Sequence, residues 1–210
     1  IFFAFKKNIS TLGIIVLTAI LMYFSAKTPI WHSILVIFAG FGSLAVLMKI
    51  STYRFNRLLA FLNPAVDPQG ISYQITQSVI AVGSGGLLGQ GVGLSQEKFG
   101  LLPQPISDSI FAIFAKEAGF SGAIFLISFF LLFLWLGFKV AKKAKGQFSQ
   151  LLAIGITSWI VLQAFINIGS MIGILPLTGI PLPFISYGGS ALITELAGIG
   201  ILLNISRQSR

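Results

Sequence analysis

Residues 110–138 read IFAIFAKEAGFSGAIFLISFFLLFLWLGF and are followed at once by Lys139, Lys142, Lys143 and Lys145. A helix rises 1.5 Å per residue, so roughly 20 mainly apolar residues cross a hydrocarbon core of about 30 Å. This stretch is long enough, and its charged end marks a membrane boundary. Four further stretches have the same character, at 9–26, 31–48, 148–172 and 190–205. The chain therefore reads as an all-α polytopic membrane protein with about five complete transmembrane helices, forming one membrane domain over residues 1–210. It opens with Ile1 inside an apolar run, as expected of a piece of a longer protein.

Composition agrees. Of 210 residues, 55% are hydrophobic and only 9% charged, and the mean hydropathy is +0.93. A soluble domain carries about 25% charged residues. Disorder needs many charges and few apolar residues, the reverse of this balance. The chain has no cysteine and a single histidine, His32. Disulfides, a cysteine nucleophile and cysteine zinc sites are excluded. His32 sits at a membrane boundary with no ligand partner in view.

Orientation follows from the positive charges near span ends. The Lys139–Lys145 cluster occupies a short connection, and Arg207 and Arg210 follow the last span. Two spans separate the groups, so both face the cytoplasm, and the C-terminus is cytoplasmic. Lys27 then falls inside, whereas Lys6, Lys7, Lys49, Arg54 and Arg57 fall outside. The cluster suits contact with anionic lipid. The remaining charges form no continuous basic face, which argues against nucleic acid.

Two outer segments result, a large extracytoplasmic loop over 49–109 and a Pro/Gly-rich segment over 173–189. A loop of that length is uncommon without a function. It is neither charged nor low in complexity, and short helices lying on or dipping into the membrane are expected within it. NPAVDPQG at 63–70 is a turn, with Asp67 bonding its own backbone. GSGGLLGQGVG at 83–93 matches neither the P-loop nor the dinucleotide spacing. Its glycines suit close backbone approach or a re-entrant turn.

The carboxylates are the candidates for chemistry. Asp108, after Pro103 and Pro105 and before an apolar helix, is placed to cap that helix. A helix over 109–138 would be about 45 Å long. Asp108 would then stand above the outer boundary, and Glu117 near it, where carboxylates are functional candidates. Asp108 could act as a general base open to an outer cavity, with Lys98 and Lys116 holding an anionic group. In LPLTGIPLPFISYGGS at 175–190, the polar atoms of Ser186 and Tyr187 need partners if buried. Glu195, inside the last span, suits a paired or protonated carboxyl. Gln163 and Asn167 suit helix bridging.

These residues resemble a known family, the FtsW/RodA/SpoVE or SEDS proteins of bacterial cell-wall synthesis. The resemblance rests on residues 61–104, on DSIFAIFAKEAGFSGA at 108–123, on QAFINIGSMIGILPLTGIPLPFISYGGSALI at 163–193 and on LLNISR at 202–207. TGIPLPFISYGGS is its most specific run. The resemblance implies the last five spans of a ten-helix fold in the bacterial plasma membrane, with both ends cytoplasmic. It implies a peptidoglycan glycosyltransferase that polymerises lipid II, working with a class B, transpeptidase-type penicillin-binding protein. The family's key aspartate, in LPE-x-HTDFIFA, aligns with Asp108. The His and Thr of that motif are Ile106 and Ser107 here, and the Phe after the aspartate is Ser109. A Glu-Glu pair becomes Lys116–Glu117, and Glu195 replaces an uncharged residue. GVGLSQEKFGLLPQ at 91–104 looks most like the division-type member, which implies septal synthesis.

The implied reaction joins the 4-hydroxyl of an acceptor GlcNAc to C1 of a donor MurNAc, inverting the α linkage. It needs a base, for which Asp108 is the catalytic candidate, and positive charge on the leaving diphosphate, which Lys98, Lys116 or an Arg could supply. Lys98, Lys116, Glu117, Ser186 and Tyr187 are the candidate substrate-binding residues. A divalent cation could assist, although no acidic cluster predicts a metal site. Two alternatives remain: a lipid II flippase, and a non-catalytic scaffold for a penicillin-binding protein. A transporter would be expected to show internal repeats around a midplane site, and the two halves of this chain show none.

Overall fold

The computed structural model describes residues 9–26, 31, 38, 40, 42, 57, 59–63, 71–91, 93 and 107–208. All regular structure among them is helical: α1 (Ile9–Ser25), α2 (Ile71–Ser84), α3 (Ile110–Lys143), α4 (Gln147–Met171) and α5 (Gly189–Gln208). By length and apolar composition α3, α4 and α5 can cross a membrane, and α1 is a shorter apolar helix. The expected span at 31–48 lies almost wholly outside the described residues, as do Asp67, His32 and most of 49–106. Within that loop α2 is described, and residues 57 and 59–62 are also helical.

The chain forms two compact units. The first contains α1, α3 from Leu131, α4 as far as Gln163, and α5. Its packing uses small residues, as expected where lipid removes the hydrophobic drive between helices. Ala141, Ala153, Ile154, Leu202 and Ile205 form its buried cluster, with Met22 and Phe133 against it. A Cβ on Gly155 would lie 2.6 Å from Met22 Sδ, so that glycine serves internal packing on α1. A Cβ on Gly137 would collide with Thr157. Glu195 is buried, and Gln163 Nε2 donates to its Oε1 at 3.4 Å, a bridge between α4 and α5.

The end of α3 departs from expectation. Lys139, Lys142 and Lys143 continue the helix, and only Lys145 falls in the three-residue link to α4. Cations in a last turn complement the helix dipole. Lys139 Nζ lies 4.9 Å from the Trp135 ring centroid, an aromatic–cation pair suited to a membrane boundary.

The second unit contains α2, α3 up to Phe130, α4 from Ala164, and the segment to Gly188. Its core gathers Ile75, Phe111, Ile113, Phe130, Ile168 and Leu182. Here the single straight helix expected over 109–138 is replaced by a broken one. Gly119 has φ 69° and ψ −170°, outside helical space and open only to glycine. Residues 120–143 then rise about 36 Å, close to one membrane thickness.

The glycine loop after α2 fills the break. An unbroken helix would bond the N–H of 120 to the carbonyl of 116, and that of 121 to the carbonyl of 117. Instead Phe120 N donates to Gly86 O at 2.9 Å and Ser121 N to Leu87 O at 3.1 Å. The released carbonyls of Lys116 and Glu117 accept from Gln90 N at 3.0 Å and Gly91 N at 3.2 Å. Two helical bonds become four bonds to the inserted loop. The approach demands glycine, because a Cβ on Gly85 would strike Ala115 O and one on Gly89 would strike Glu117 O.

Two alanine substitutions test this insertion. Gly86 has φ 58° with open space around its Cβ position, so Gly86→Ala should cost about 1–2 kcal/mol. Gly119→Ala adds a collision with Gly89 N and should cost more than about 3 kcal/mol or prevent accumulation of folded protein. Size-exclusion chromatography after graded heating reads both, and equal losses would contradict the inserted loop.

Candidate active site around Asp108

Asp108 stands in a turn over 107–109, just before α3. The first helical acceptor is Ser109 O, which takes bonds from Ala112 N at 3.0 Å and Ile113 N at 3.4 Å. Ser109 is therefore the cap residue, and Asp108 lies one position outside the helix. This corrects the capping reading. The Ser109 side chain is buried, and its Oγ accepts from Gln74 Nε2 of α2 at 3.3 Å. The half-buried Asp108 accepts at Oδ1 from Ser107 Oγ at 2.8 Å.

Asn167 and Ser186 tie the carbonyls of this turn to distant segments. Asn167 of α4 is only 1% exposed, and its Nδ2 donates to Asp108 O at 2.9 Å and to Ile180 O at 2.7 Å. Two carbonyl partners fix the amide orientation, since the amide oxygen cannot donate. Ser186 Oγ donates to Ser107 O at 2.7 Å and accepts from Leu182 N at 2.7 Å. Ser186 N also donates to Leu182 O at 3.0 Å, closing a ring that holds Phe184 at φ 65°. Bulky residues with positive φ occur only where their surroundings over-determine them.

Arg57 lies beside the turn, one of the arginines that the sequence left open as a source of positive charge for the diphosphate. Its Nη1 donates to Leu177 O at 3.0 Å. Gly179 has φ 67°, and a Cβ there would sit 3.3 Å from Asp108 Oδ2 and 4.0 Å from Arg57 Nη1. Carboxylate and guanidinium thus flank one point, beside a residue without a side chain.

The other candidates lie as follows. Ser186 is at the Asp108 turn, with its hydroxyl committed to the two backbone partners above. Tyr187 follows it and is 82% exposed. Lys116 and Glu117 are half-buried at the α3 break, where their carbonyls receive the glycine loop. That point is about 12 Å of helix rise beyond Asp108. Lys98 lies outside the described residues. A cavity of about 490 Å³ in the first unit, lined by residues including Phe148, Leu152, Ile201 and Asn204, shares no residue with this cluster and has no titratable lining group.

Polar ties from Asn167 and from the TGIPLPFISYGGS segment to the backbone carbonyls of the Asp108 turn belong to a site built by distant parts of the chain. A family model described as "Cell cycle protein", for FtsW, RodA and SpoVE, matches residues 1–210. The chain belongs to that family. Stage V sporulation protein E of Bacillus subtilis is 42% identical over 205 residues, 98% of this chain and 56% of that protein. The probable peptidoglycan glycosyltransferase FtsW of Coxiella burnetii is 40% identical over 199 residues, 93% of this chain and 54% of that protein. The chain thus spans about half the length of these relatives. Among solved structures, a chain of a peptidoglycan synthase complex that coordinates polymerization and crosslinking superposes with TM-score 0.77 at 25% identity, covering 98% of this chain and 57% of the other. Rod shape determining protein RodA of Thermus thermophilus shares the fold, with TM-score 0.58 over 93% of this chain and 49% of the other. This family member is an all-helical polytopic membrane protein.

The Asn167 ties predict a measurable cost. Asn167→Leu keeps the branching and the number of side-chain heavy atoms but leaves the Asp108 and Ile180 carbonyls without their donor, at about 1–3 kcal/mol for each buried group. The protein should unfold at lower temperature in detergent. Ser158→Ala, at a buried hydroxyl elsewhere on α4, should have a smaller effect. Indistinguishable melting of the two variants would contradict the tie.

Proposed function

We propose that this chain carries the catalytic half of a peptidoglycan glycosyltransferase that polymerises lipid II in the bacterial plasma membrane. The observation that carries the reading is Asp108, a carboxylate pinned through its own carbonyl and its neighbour's, rather than used as a helix cap. A base must be held within hydrogen-bond reach of the hydroxyl it deprotonates, and rigid placement serves that need. The relatives named probable peptidoglycan glycosyltransferase FtsW support the same reaction class.

In the proposed reaction Asp108 takes the proton from the acceptor 4-hydroxyl as its oxygen bonds to C1 of the donor sugar. The bond from C1 to the lipid diphosphate breaks, with inversion. One displacement suffices, and no covalent nucleophile is needed. Tyr187, exposed next to Ser186, is proposed to meet a sugar. Ser186 contributes by holding the turn. Lys98, Lys116 and Glu117 are proposed to line the path of the charged lipid head. A divalent cation would bind through substrate phosphates. The departures around Asp108 are used locally, because Ser107 donates to the carboxylate and Ser109 pairs with Gln74. This favours a working site over a scaffold.

The proposed partner is a transpeptidase-type penicillin-binding protein. It is supported by the likeness to a synthase complex in which polymerization and crosslinking are coordinated. The similarity to FtsW relatives supports a septal role.

Asp108→Asn tests the reading, since the amide keeps the shape and loses the base. With the protein expressed from its native gene and reconstituted with fluorescent lipid II, the wild type should build glycan ladders. The variant should lose at least about a hundredfold in rate, with normal membrane insertion. Wild-type ladders from the variant, or lipid redistribution without ladders from the wild type, would refute it.

The proposed topology has Asp108 outside the cell and the end of α3 inside. Residues 1–210 contain no cysteine, so single cysteines placed here are clean reporters once any cysteine elsewhere in the protein is replaced. An impermeant thiol reagent on intact cells should label Gln104→Cys and spare Gln147→Cys. The reverse pattern would invert the orientation.

A further inference from the structure

Among the described residues, the cluster at Asp108 contains one guanidinium, and its setting assigns it a task. Arg57 Nη1 is held at 3.0 Å by Leu177 O, and it shares with Asp108 Oδ2 the point where a Cβ of residue 179 would be. Gly179 is itself held by its neighbour, because Ile180 O accepts from the same Asn167 amide that binds Asp108 O. Base and cation are therefore set by one bonded framework, each within 4.0 Å of the point that a Cβ of residue 179 would occupy. Lys116 lacks this placement, since it lies about 12 Å of helix rise beyond Asp108.

We infer that Arg57 binds the diphosphate of a polyprenyl-diphosphate-linked donor sugar, beside the carboxylate that deprotonates the acceptor. The inference rests on the glycosyl-transfer reading and names the group that meets its leaving charge. As the acceptor oxygen bonds to C1, the bond from C1 to the phosphate oxygen breaks and its electron pair leaves with the diphosphate. The hydroxyl proton passes to Asp108. The diphosphate gains one negative charge in that step, and a fixed cation there stabilises the transition state more than the ground state. Arginine suits the task because its planar fork matches two phosphate oxygens and stays charged at any working pH. A Cβ at 179 would project into the space between base and cation, a second reason for glycine beside its φ of 67°.

The test measures binding of a polyprenyl diphosphate, and of the uncharged polyprenol, to protein expressed from its native gene and placed in nanodiscs. Wild type, Asp108→Asn, Arg57→Gln and Arg57→Lys are compared. Arg57→Gln should bind the diphosphate about ten- to a hundredfold more weakly, as expected for lost hydrogen bonds to a charged group, and should bind the polyprenol unchanged. Asp108→Asn, which removes a negative charge from beside the anion, should bind the diphosphate no more weakly than wild type. Arg57→Lys, which keeps the charge and loses the fork, should fall between; it serves as the readout if the Gln variant does not accumulate. Diphosphate affinity equal to wild type in the Arg57 variants overturns the inference. So does an equal loss for diphosphate and polyprenol, which would mark Arg57 as a brace for the 177–179 segment. If Arg57→Gln selectively loses the diphosphate while Asp108→Asn polymerises normally, the base assignment fails and the anion site stands.

Discussion

The exchange of hydrogen bonds at Gly119 is the constraint from which the second unit is built. Away from water, a broken helix leaves donors and acceptors that cost more than the break itself. Here the loop after α2 supplies all four partners, Gly86 O, Leu87 O, Gln90 N and Gly91 N, so the break is stable. The insertion works only at backbone-to-backbone distance, hence the glycines at 85, 89 and 119. It separates a short helix, which begins just after Asp108, from the membrane-length remainder of α3. It also attaches the end of α2 to α3, and α2 bears Gln74, the partner of Ser109.

The polar framework at Asp108 follows the same logic with side chains. Asn167 and Ser186 satisfy backbone groups that irregular segments cannot satisfy among themselves. Each joins the Asp108 turn to the Pro/Gly-rich segment. The segment cannot be helical, because Pro176, Pro181 and Pro183 forbid it. Its carbonyls therefore need partners from elsewhere, and α4 supplies Asn167. A carboxylate so mounted has little freedom, which suits a base that must meet a hydroxyl in one geometry.

Much was legible in the sequence. Spans α3, α4 and α5 followed from apolar length, because membrane thickness imposes a simple rule on composition. Family membership followed from TGIPLPFISYGGS and its companions. Asp108 stood out because a carboxylate near a membrane boundary is costly. Three readings needed correction. Asp108 appeared to be the cap, whereas Ser109 O is the first helical acceptor. The α3 stretch appeared continuous, since Gly119 and Gly122 lie within an apolar run long enough to span a membrane. The lysines after Phe138 appeared to lie in a loop, although most of them extend the helix. Gly155, open to either reading on small-residue grounds, packs on Met22.

The sequence by itself determined that the chain is helical, lies in a membrane and belongs to its family, because hydrophobic length and local motifs act over neighbouring residues. Tertiary structure alone decided how the site is assembled. Nothing near Arg57 in the chain announces that its guanidinium shares a point with the Asp108 carboxylate, or that the missing side chain of Gly179 leaves that point open. Nor does the run from Gly83 announce that it replaces two rungs of a helix. These are pairings between segments distant in sequence, chosen because buried polar groups must find partners wherever folding places them.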